Sequence, residues 1–175
     1  MAKKVKDATA YVCGLGFYEF SLNGEKVGDS EFAPLWSDYD KSVYYNTYDV
    51  TSQVKKGGNA IGVLLGNGFY NVQGGRYRKL QISFGAPTLR FRMVVNYEDG
   101  TSETIVSGKD WKYDFSPVLF NCIYGGEDYD ARREQKGWNM FGFKEQDWHP
   151  VVIQEAPKGV LRPQIAQPVK IMERY

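Results

Sequence analysis

The sequence has few side chains that could carry covalent chemistry. Among its 175 residues there is one histidine, His149, and there are two cysteines, Cys13 and Cys122, far apart in the chain. A single histidine excludes a His-rich metal site, and no Gly-x-Ser-x-Gly signature marks a nucleophilic serine. Buried free thiols are the default expectation for the cysteines. A disulfide between them stays open, because spacing alone does not determine pairing.

The chain also lacks an excess of charge and a long apolar run. Its 22 basic residues balance 21 acidic ones, which leaves a formal net charge of +1. Proteins that bind nucleic acid neutralise phosphates with clustered Lys and Arg, so we expect no nucleic-acid partner. No apolar run approaches the roughly 18 residues of a membrane span, and no signal peptide is visible after Met1. We therefore expect no membrane contact.

Helical patterning is scarce, and strand patterning is common. Residues 18–22 alternate between apolar and polar and run into Asn23-Gly24, a pair suited to a hairpin turn with two positive φ angles. Residues 89–97 alternate likewise and turn at Glu98-Asp99-Gly100 into a partner strand. Further predictions are a strand at 42–51, a polar turn at 55–59 and a central strand with two buried faces at 60–65. Together they predict an all-β, jelly-roll-like β-sandwich (galactose-binding-like) with little helix.

The expected organisation is a single domain over residues 1–175, with its core at about 8–157. The stretch from Gly66 to Pro87 interrupts the strand rhythm and is rich in Gly, Tyr and Arg. Loops of such length are usually functional or disordered, and the aromatic content argues against disorder. Residues 158–175 are predicted to form a strap along the sandwich that leads to a following domain.

The first candidate for binding is the loop of Trp36, Asp38, Tyr39 and Asp40. Carboxylates at i and i+2 can supply oxygen ligands to Ca²⁺, and sugar hydroxyls can complete such a shell while an aromatic ring stacks on the sugar. The alternative is a solvated acidic turn, with Lys41 as a cation beside it. No cofactor is required, and calcium at Asp38 and Asp40 is one form of the hypothesis.

The second candidate is the start of the long loop, with Asn67, Phe69 and Tyr70 among glycines. Glycines allow unusual backbone angles, and amides with aromatic rings suit polar, ring-shaped ligands. The alternative is a wide turn whose aromatic rings are tucked into the core.

A third set is acidic, and it comprises Glu127, Asp128 and Asp130, followed by Arg132 and Arg133. A glycosidase needs two carboxylates that face each other across the scissile bond, and no persuasive partner is present elsewhere. We favour an ion pair of Asp130 with Arg132 or Arg133 that stabilises a loop, and we expect this region at a domain junction or active-site rim.

With these segments in view, the chain resembles the N-terminal β-sandwich domain of bacterial α-L-rhamnosidases. Each motif alone is weak, but their order over roughly residues 8–171 is specific. The motifs include Gly14-Leu15-Gly16-Phe17-Tyr18-Glu19, Leu22-Asn23-Gly24, Pro34-x-Trp36-x-Asp38-Tyr39, Gly62-Val63-Leu64-Leu65-Gly66-Asn67-Gly68-Phe69-Tyr70 and Ile123-Tyr124-x-Gly126-Glu127-x-Tyr129-Asp130-Ala131-Arg132. Phe69 stands where many members of the family have Trp.

The resemblance implies a non-catalytic accessory module. The family hydrolyses terminal α-L-rhamnosyl units with inversion, and its acid and base lie in a separate (α/α)₆-barrel domain further along the chain. The expected partners are a rhamnose-containing glycan and that catalytic domain. Because large plant glycans cannot enter a cell intact, we expect the parent protein to be exported. The alternative, from a different class, is a purely structural interdomain scaffold that never touches sugar.

Overall fold

The computed structural model describes residue 1, residues 3–74 and residues 80–173. Its strands are β1 (Val5–Leu15), β2 (Phe17–Leu22), β3 (Glu25–Lys26), β4 (Ser42–Asp49), β5 (Ile61–Gly66), β6 (Asn71–Val72), β7 (Ile82–Ser83), β8 (Thr88–Tyr97), β9 (Ser102–Val106), β10 (Lys112–Tyr113), β11 (Val118–Cys122), β12 (Gly126–Tyr129), β13 (His149–Pro150) and β14 (Val160–Pro163). A 3₁₀ turn at Ala131–Arg133 is the only helical element in these ranges, so the all-β prediction is confirmed.

Two sheets face each other and enclose the main core. One has the strand order β14-β4-β1-β8-β9, and the other has the order β3-β2-β5. The rings of Phe20 on β2 and Phe91 on β8 meet between them, with centroids 5.4 Å apart. Both side chains are almost fully buried, as are their neighbours Leu22, Met93 and Val95. The predicted sandwich is therefore confirmed.

The central strand of the larger sheet is β1, which pairs with β4 on one side and β8 on the other. The prediction of a central strand at 60–65 is wrong. In the described part of the chain β5 pairs with β2 alone, and Leu64 is 38% exposed. The space beside Gly62 is filled by Trp138 and Asn139. Side chains from a distant segment, rather than a further strand, cover the apolar run.

Both predicted hairpins are present. Asn23 and Gly24 have φ angles of 56° and 87°, the left-handed pair that the turn between β2 and β3 requires. The strand β8 turns at Gly100, with φ 82°, into β9. The apolar face of β8 points inward, as its alternation indicated. Local turn chemistry thus determined both connections.

The long loop and the C-terminal strap each contribute strands. Within 66–87, β6 and β7 pair as a short two-stranded sheet, and residues 75–79 lie outside the described ranges. In the predicted strap, β14 lies parallel to β4, with Val160 opposite Ser42. The strap therefore extends the larger sheet by one strand. None of the helical residues described forms a segment with the length and apolar character that crossing a membrane would require.

Candidate functional site

The fold brings the two candidate loops together at one exposed aromatic surface. The rings of Trp36 and Phe69 stack with centroids 4.9 Å apart and an interplanar angle of 18°. The ring of Tyr124, from the turn between β11 and β12, meets Phe69 edge-on at 6.3 Å. Trp36 is 59% exposed. We call Trp36, Phe69 and Tyr124 the Trp36 platform.

Glycines that let backbones approach closely place Phe69 on this platform. At the end of the β2–β5 ladder, a Cβ on Gly16 would collide with the carbonyl oxygen of Gly66, and Gly16 has a φ of 107°. A Cβ on Gly68, whose φ is 50°, would lie 3.0 Å from the amide nitrogen of Phe17. Only glycine fits both requirements. The chain can therefore turn directly after β5 and carry Phe69 to Trp36.

Asn67 holds the loop together rather than presenting a free amide. Its backbone N–H donates to Oδ1 of Asn121 at 2.8 Å, and its Nδ2 donates to the Asn121 carbonyl at 3.0 Å. Its Oδ1 accepts from Nδ2 of Asn71 at 2.8 Å, and Asn71 accepts in turn from the hydroxyl of Ser83. This network joins the end of β5 to β6, β7 and β11. The amide of Asn67 therefore serves the loop structure, whatever ligand lies nearby.

Tyr39 and Tyr70 lie in a second, smaller core cluster. Each is only 6% exposed, and their rings meet edge-on at 4.9 Å. Phe84 packs against both, and Cys13 belongs to the same cluster. Burial raises the pKa of the Tyr39 phenol to about 12. Neither ring offers a face to a sugar, so of the aromatic side chains proposed as contacts, Trp36 and Phe69 remain accessible.

In the acidic loop after Trp36, one of the two carboxylates forms an ion pair at the surface. Asp38 Oδ2 lies 2.8 Å from Nζ of Lys41, and its Oδ1 accepts the backbone N–H of Asp40 at 3.2 Å. The Lys41 ammonium lowers the pKa of Asp38, so the carboxylate stays charged but already has its cation. In the residues that the structure describes, no three His, Cys, Asp or Glu side chains gather as a metal site would require.

The third acidic set follows the hairpin that carries Tyr124. Glu127 and Asp128 lie on β12, and Glu127 faces Asn121 across the ladder to β11. Asp130 accepts two hydrogen bonds from the Arg132 guanidinium, both 2.8 Å long, and one from the Arg132 backbone N–H. The expected ion pair with Arg132 is confirmed. The Asp130 side chain caps the 3₁₀ turn by accepting from the backbone N–H of Arg132. The hydrogen bonds from Arg132 also lower the pKa of Asp130.

The sequence did not single out two further aromatic residues, Phe32 and the platform member Tyr124. Phe32 is exposed and has a φ of 53°, and its ring lies 5.5 Å from that of Phe17. Phe17 in turn borders Gly68. Tyr124 also had no individual signal beyond its place in a motif. Hydrophobic patterning does not separate exposed aromatic residues from buried ones, and this is why these residues were missed.

Comparison with known proteins identifies the domain family of the chain. The family model of the α-L-rhamnosidase N-terminal domain matches residues 3–173. An α-L-rhamnosidase of Formosa agariphila is 44% identical over 150 residues, which are 83% of this chain and 16% of that protein. The curated relatives are thus far longer than this chain.

Two solved structures share the fold of nearly the whole chain. The α-L-rhamnosidase from Dictyoglumus thermophilum has a TM-score of 0.91 at 40% identity, covering 99% of this chain and 19% of that one. The Streptomyces avermitilis α-L-rhamnosidase, complexed with L-rhamnose, has a TM-score of 0.90 at 40% identity. The match covers 98% of this chain and 17% of that one. The resemblance carried by the sequence motifs is confirmed: the chain belongs to the family of α-L-rhamnosidase N-terminal domains.

Proposed function

We propose that this domain is a non-catalytic accessory module of an α-L-rhamnosidase and that its Trp36 platform contacts the rhamnose-containing glycan beside the active site. The exposed indole of Trp36 carries the proposal. Phe69 stacks on one face of the indole and fixes its orientation, so the exposed part is the other face and edge. Sugar C–H groups, including the methyl group of a 6-deoxy sugar such as rhamnose, pack well on such a surface.

The engagement of the carboxylates supports a non-catalytic role. Asp130 is committed to Arg132, and Asp38 is committed to Lys41. An inverting glycosidase needs an acid and a base roughly 6.5–9.5 Å apart with a water molecule between them. In this proposal that pair belongs to the following (α/α)₆-barrel domain of the parent. The isolated chain should therefore not hydrolyse an aryl α-L-rhamnoside, and turnover that Asp130→Asn abolishes would contradict the proposal.

Titration calorimetry of the chain with L-rhamnose tests the platform. We expect saturable heat with the wild type that Trp36→Ala removes. Phe141→Ala is the matched control, because Phe141 is 70% exposed and packs beside Gly58, away from the platform. We expect EDTA to leave the binding unchanged, because the Asp38 carboxylate is paired with Lys41. Heat that survives in Trp36→Ala, or no heat at millimolar rhamnose with the wild type, would overturn a sugar contact on this module.

A scaffold role is the second candidate, and the C-terminal third of the chain favours it. Exposed apolar side chains recur there, namely Val152, Ile153, Val160, Ile165 and Met172. Contiguous apolar patches are uncommon on monomeric proteins, so in this second proposal the rest of the parent covers these side chains. If this role is the main one, Val152→Asp with Ile165→Asp should abolish association with the separately produced remainder of the parent, while Trp36→Ala should leave association intact.

A further inference from the structure

The five-stranded sheet has a second face, away from the core, that is only partly covered. Strand alternation puts Ala10 and Met93 inside, so their neighbours Tyr11 and Arg92 point outward. The cluster of Tyr39, Tyr70 and Phe84 covers one end of this outer face. Towards the other end the side chains are largely solvent-exposed. We call that open part the outer sheet face.

Two arginines lie side by side on the outer sheet face. Arg90 and Arg92 are two residues apart on β8, and their cross-strand neighbours on β1 are Cys13 and Tyr11. Residues at i and i+2 of a strand are about 7 Å apart on the same face, so both guanidinium groups can reach one ligand group. Both side chains are exposed, and neither forms an ion pair with any residue that the structure describes.

Two carboxylates lie on the same face, further along the sheet from the arginine pair. Asp49 lies opposite Thr9, in the row next to that of Tyr11 and Arg92. Its carboxylate accepts hydrogen bonds from the hydroxyl and the N–H of Thr51. Asp7 accepts from Nδ2 of Asn96 at 2.6 Å. Both carboxylates keep their charge, but they lie in other rows of the sheet than Arg90 and Arg92, and neither pairs with an arginine among the described residues. Like charges so close favour an anionic ligand.

Aromatic rings lie directly beside the arginine pair. Tyr11 lies on the central strand β1, between Thr47 of β4 and Arg92 of β8. Tyr45 meets it edge-on, with centroids 6.2 Å apart. Neighbouring strands are about 4.8 Å apart, so a sugar ring that packs on Tyr11 would hold a substituent over the guanidinium groups.

We propose that the outer sheet face binds a uronic-acid unit of a polysaccharide. Tyr11 packs against the sugar ring, and Arg90 and Arg92 hold its carboxylate with forked, charge-assisted hydrogen bonds. The ring of Tyr45 borders the site. Trp36 is not involved, so the inference goes beyond the proposed function and stands or falls separately from it.

Titration calorimetry of the 175-residue chain with oligomers of galacturonate and of glucuronate tests the proposal. The methyl-esterified oligomers are the matched ligands, because they keep the ring and lose the charge. We expect binding of the acids and not of the esters. Arg90→Ala with Arg92→Ala should weaken binding roughly tenfold or more, and Tyr11→Thr should also weaken it. Trp36→Ala should leave it unchanged.

A matched pair of lysines controls for net charge. Lys55→Ala with Lys56→Ala removes the same two charges from an exposed turn and should keep full affinity. If the double alanine variant of the arginines loses its cooperative melting transition, Arg90→Lys with Arg92→Lys replaces it. These lysines keep the charge but lose the forked guanidinium geometry, so the variant should still bind less tightly than the wild type. Equal loss in the lysine control, equal binding of the esters, or no binding by the wild type would overturn the proposal. The last result would leave the face for an acidic surface of a neighbouring domain.

Discussion

At the scale of single residues, the surroundings of a side chain decide its role more than its type does. Trp36 and Tyr39 are three positions apart in one loop, yet Trp36 is exposed and Tyr39 is buried. Cys13 lies in the same small cluster as Tyr39. The sequence predicted one ligand-binding loop because both aromatic residues lie close to Asp38 and Asp40. Which ring faces solvent depends on Tyr70 and Phe84, which reach the cluster from a distant segment.

Buried ionisable groups should make the fold sensitive to alkali. Burial raises the pKa of the Cys13 thiol from 9.0 to about 11 and that of the Tyr39 phenol to about 12. In the unfolded chain these groups ionise near their usual values, so above about pH 9 the unfolded state loses protons that the folded state keeps. The free energy of unfolding should therefore be unaffected by these groups below pH 9 and should fall above it. Cys13 alone contributes about 2 kcal/mol to this fall by pH 11.

Urea unfolding at pH 8 and pH 11 measures this fall. The free energy of unfolding should drop less in Cys13→Ala than in the wild type, because the variant lacks the thiol while the Tyr39 phenol still ionises on unfolding. Identical pH dependence in the two proteins would show that the thiol is not as buried as the structure has it.

At the scale of elements, predictions that rest on local chemistry are confirmed, and one that rests on burial is wrong. Asn23-Gly24 needs only its own two positive φ angles to make a hairpin. The position of β5 depends on which segment covers it. Trp138 and Asn139, more than seventy residues later, take the place that another strand would hold. Apolar patterning reports that β5 is covered but does not report what covers it.

The contact between β5 and that later segment predicts a difference between two glycines of one strand. A Cβ at Gly62 would lie 2.6 Å from Cβ of Asn139 and 2.8 Å from Cζ3 of Trp138, whereas the nearest atom to a Cβ at Gly66 is 3.6 Å away. Neither glycine has a left-handed φ. Gly62→Ala should therefore lower the free energy of unfolding by about 1–3 kcal/mol, and Gly66→Ala should change it much less.

Chemical denaturation of both variants at neutral pH provides the measurement. Tryptophan fluorescence, to which Trp138 contributes together with three other tryptophans, provides the unfolding signal. Equal stability of the two variants would mean that the segment around Trp138 does not pack against β5.

At the scale of the whole molecule, β14 covers the edge of β4 and becomes the edge strand of the larger sheet. It runs parallel to β4. At its two ends the backbone N–H of Val160 donates to the Lys41 carbonyl, and the N–H of Gln164 donates to the Tyr45 carbonyl. No pattern within β4 or β14 indicates this pairing, because a parallel partner more than a hundred positions away leaves no local trace. The Trp36 platform arises in the same non-local way. The sequence therefore supplied Trp36 and Phe69 as candidates without showing that they stack.

Removing the strap should replace the short edge strand β14, which contains Pro163, with the longer strand β4. A chain that ends at residue 157 keeps the main core, because the buried residues precede that point, but it leaves β4 as an open edge. Such edges pair with other chains. We expect the shortened chain to fold and to self-associate as its concentration rises, whereas a chain that ends at residue 166 keeps β14 and should not gain this association. Analytical ultracentrifugation of both compares them directly, and a monomeric shortened chain would contradict the role of β14.

The same pairing delays completion of the larger sheet during biosynthesis. Ser42 leaves the ribosome long before Val160, its partner in the finished sheet. At about 5–20 residues per second, the interval between them is on the order of ten seconds. During that time the nascent chain carries β4 with one side unsatisfied, so its protection against premature association must come from the ribosome surface or from chaperones rather than from its own fold.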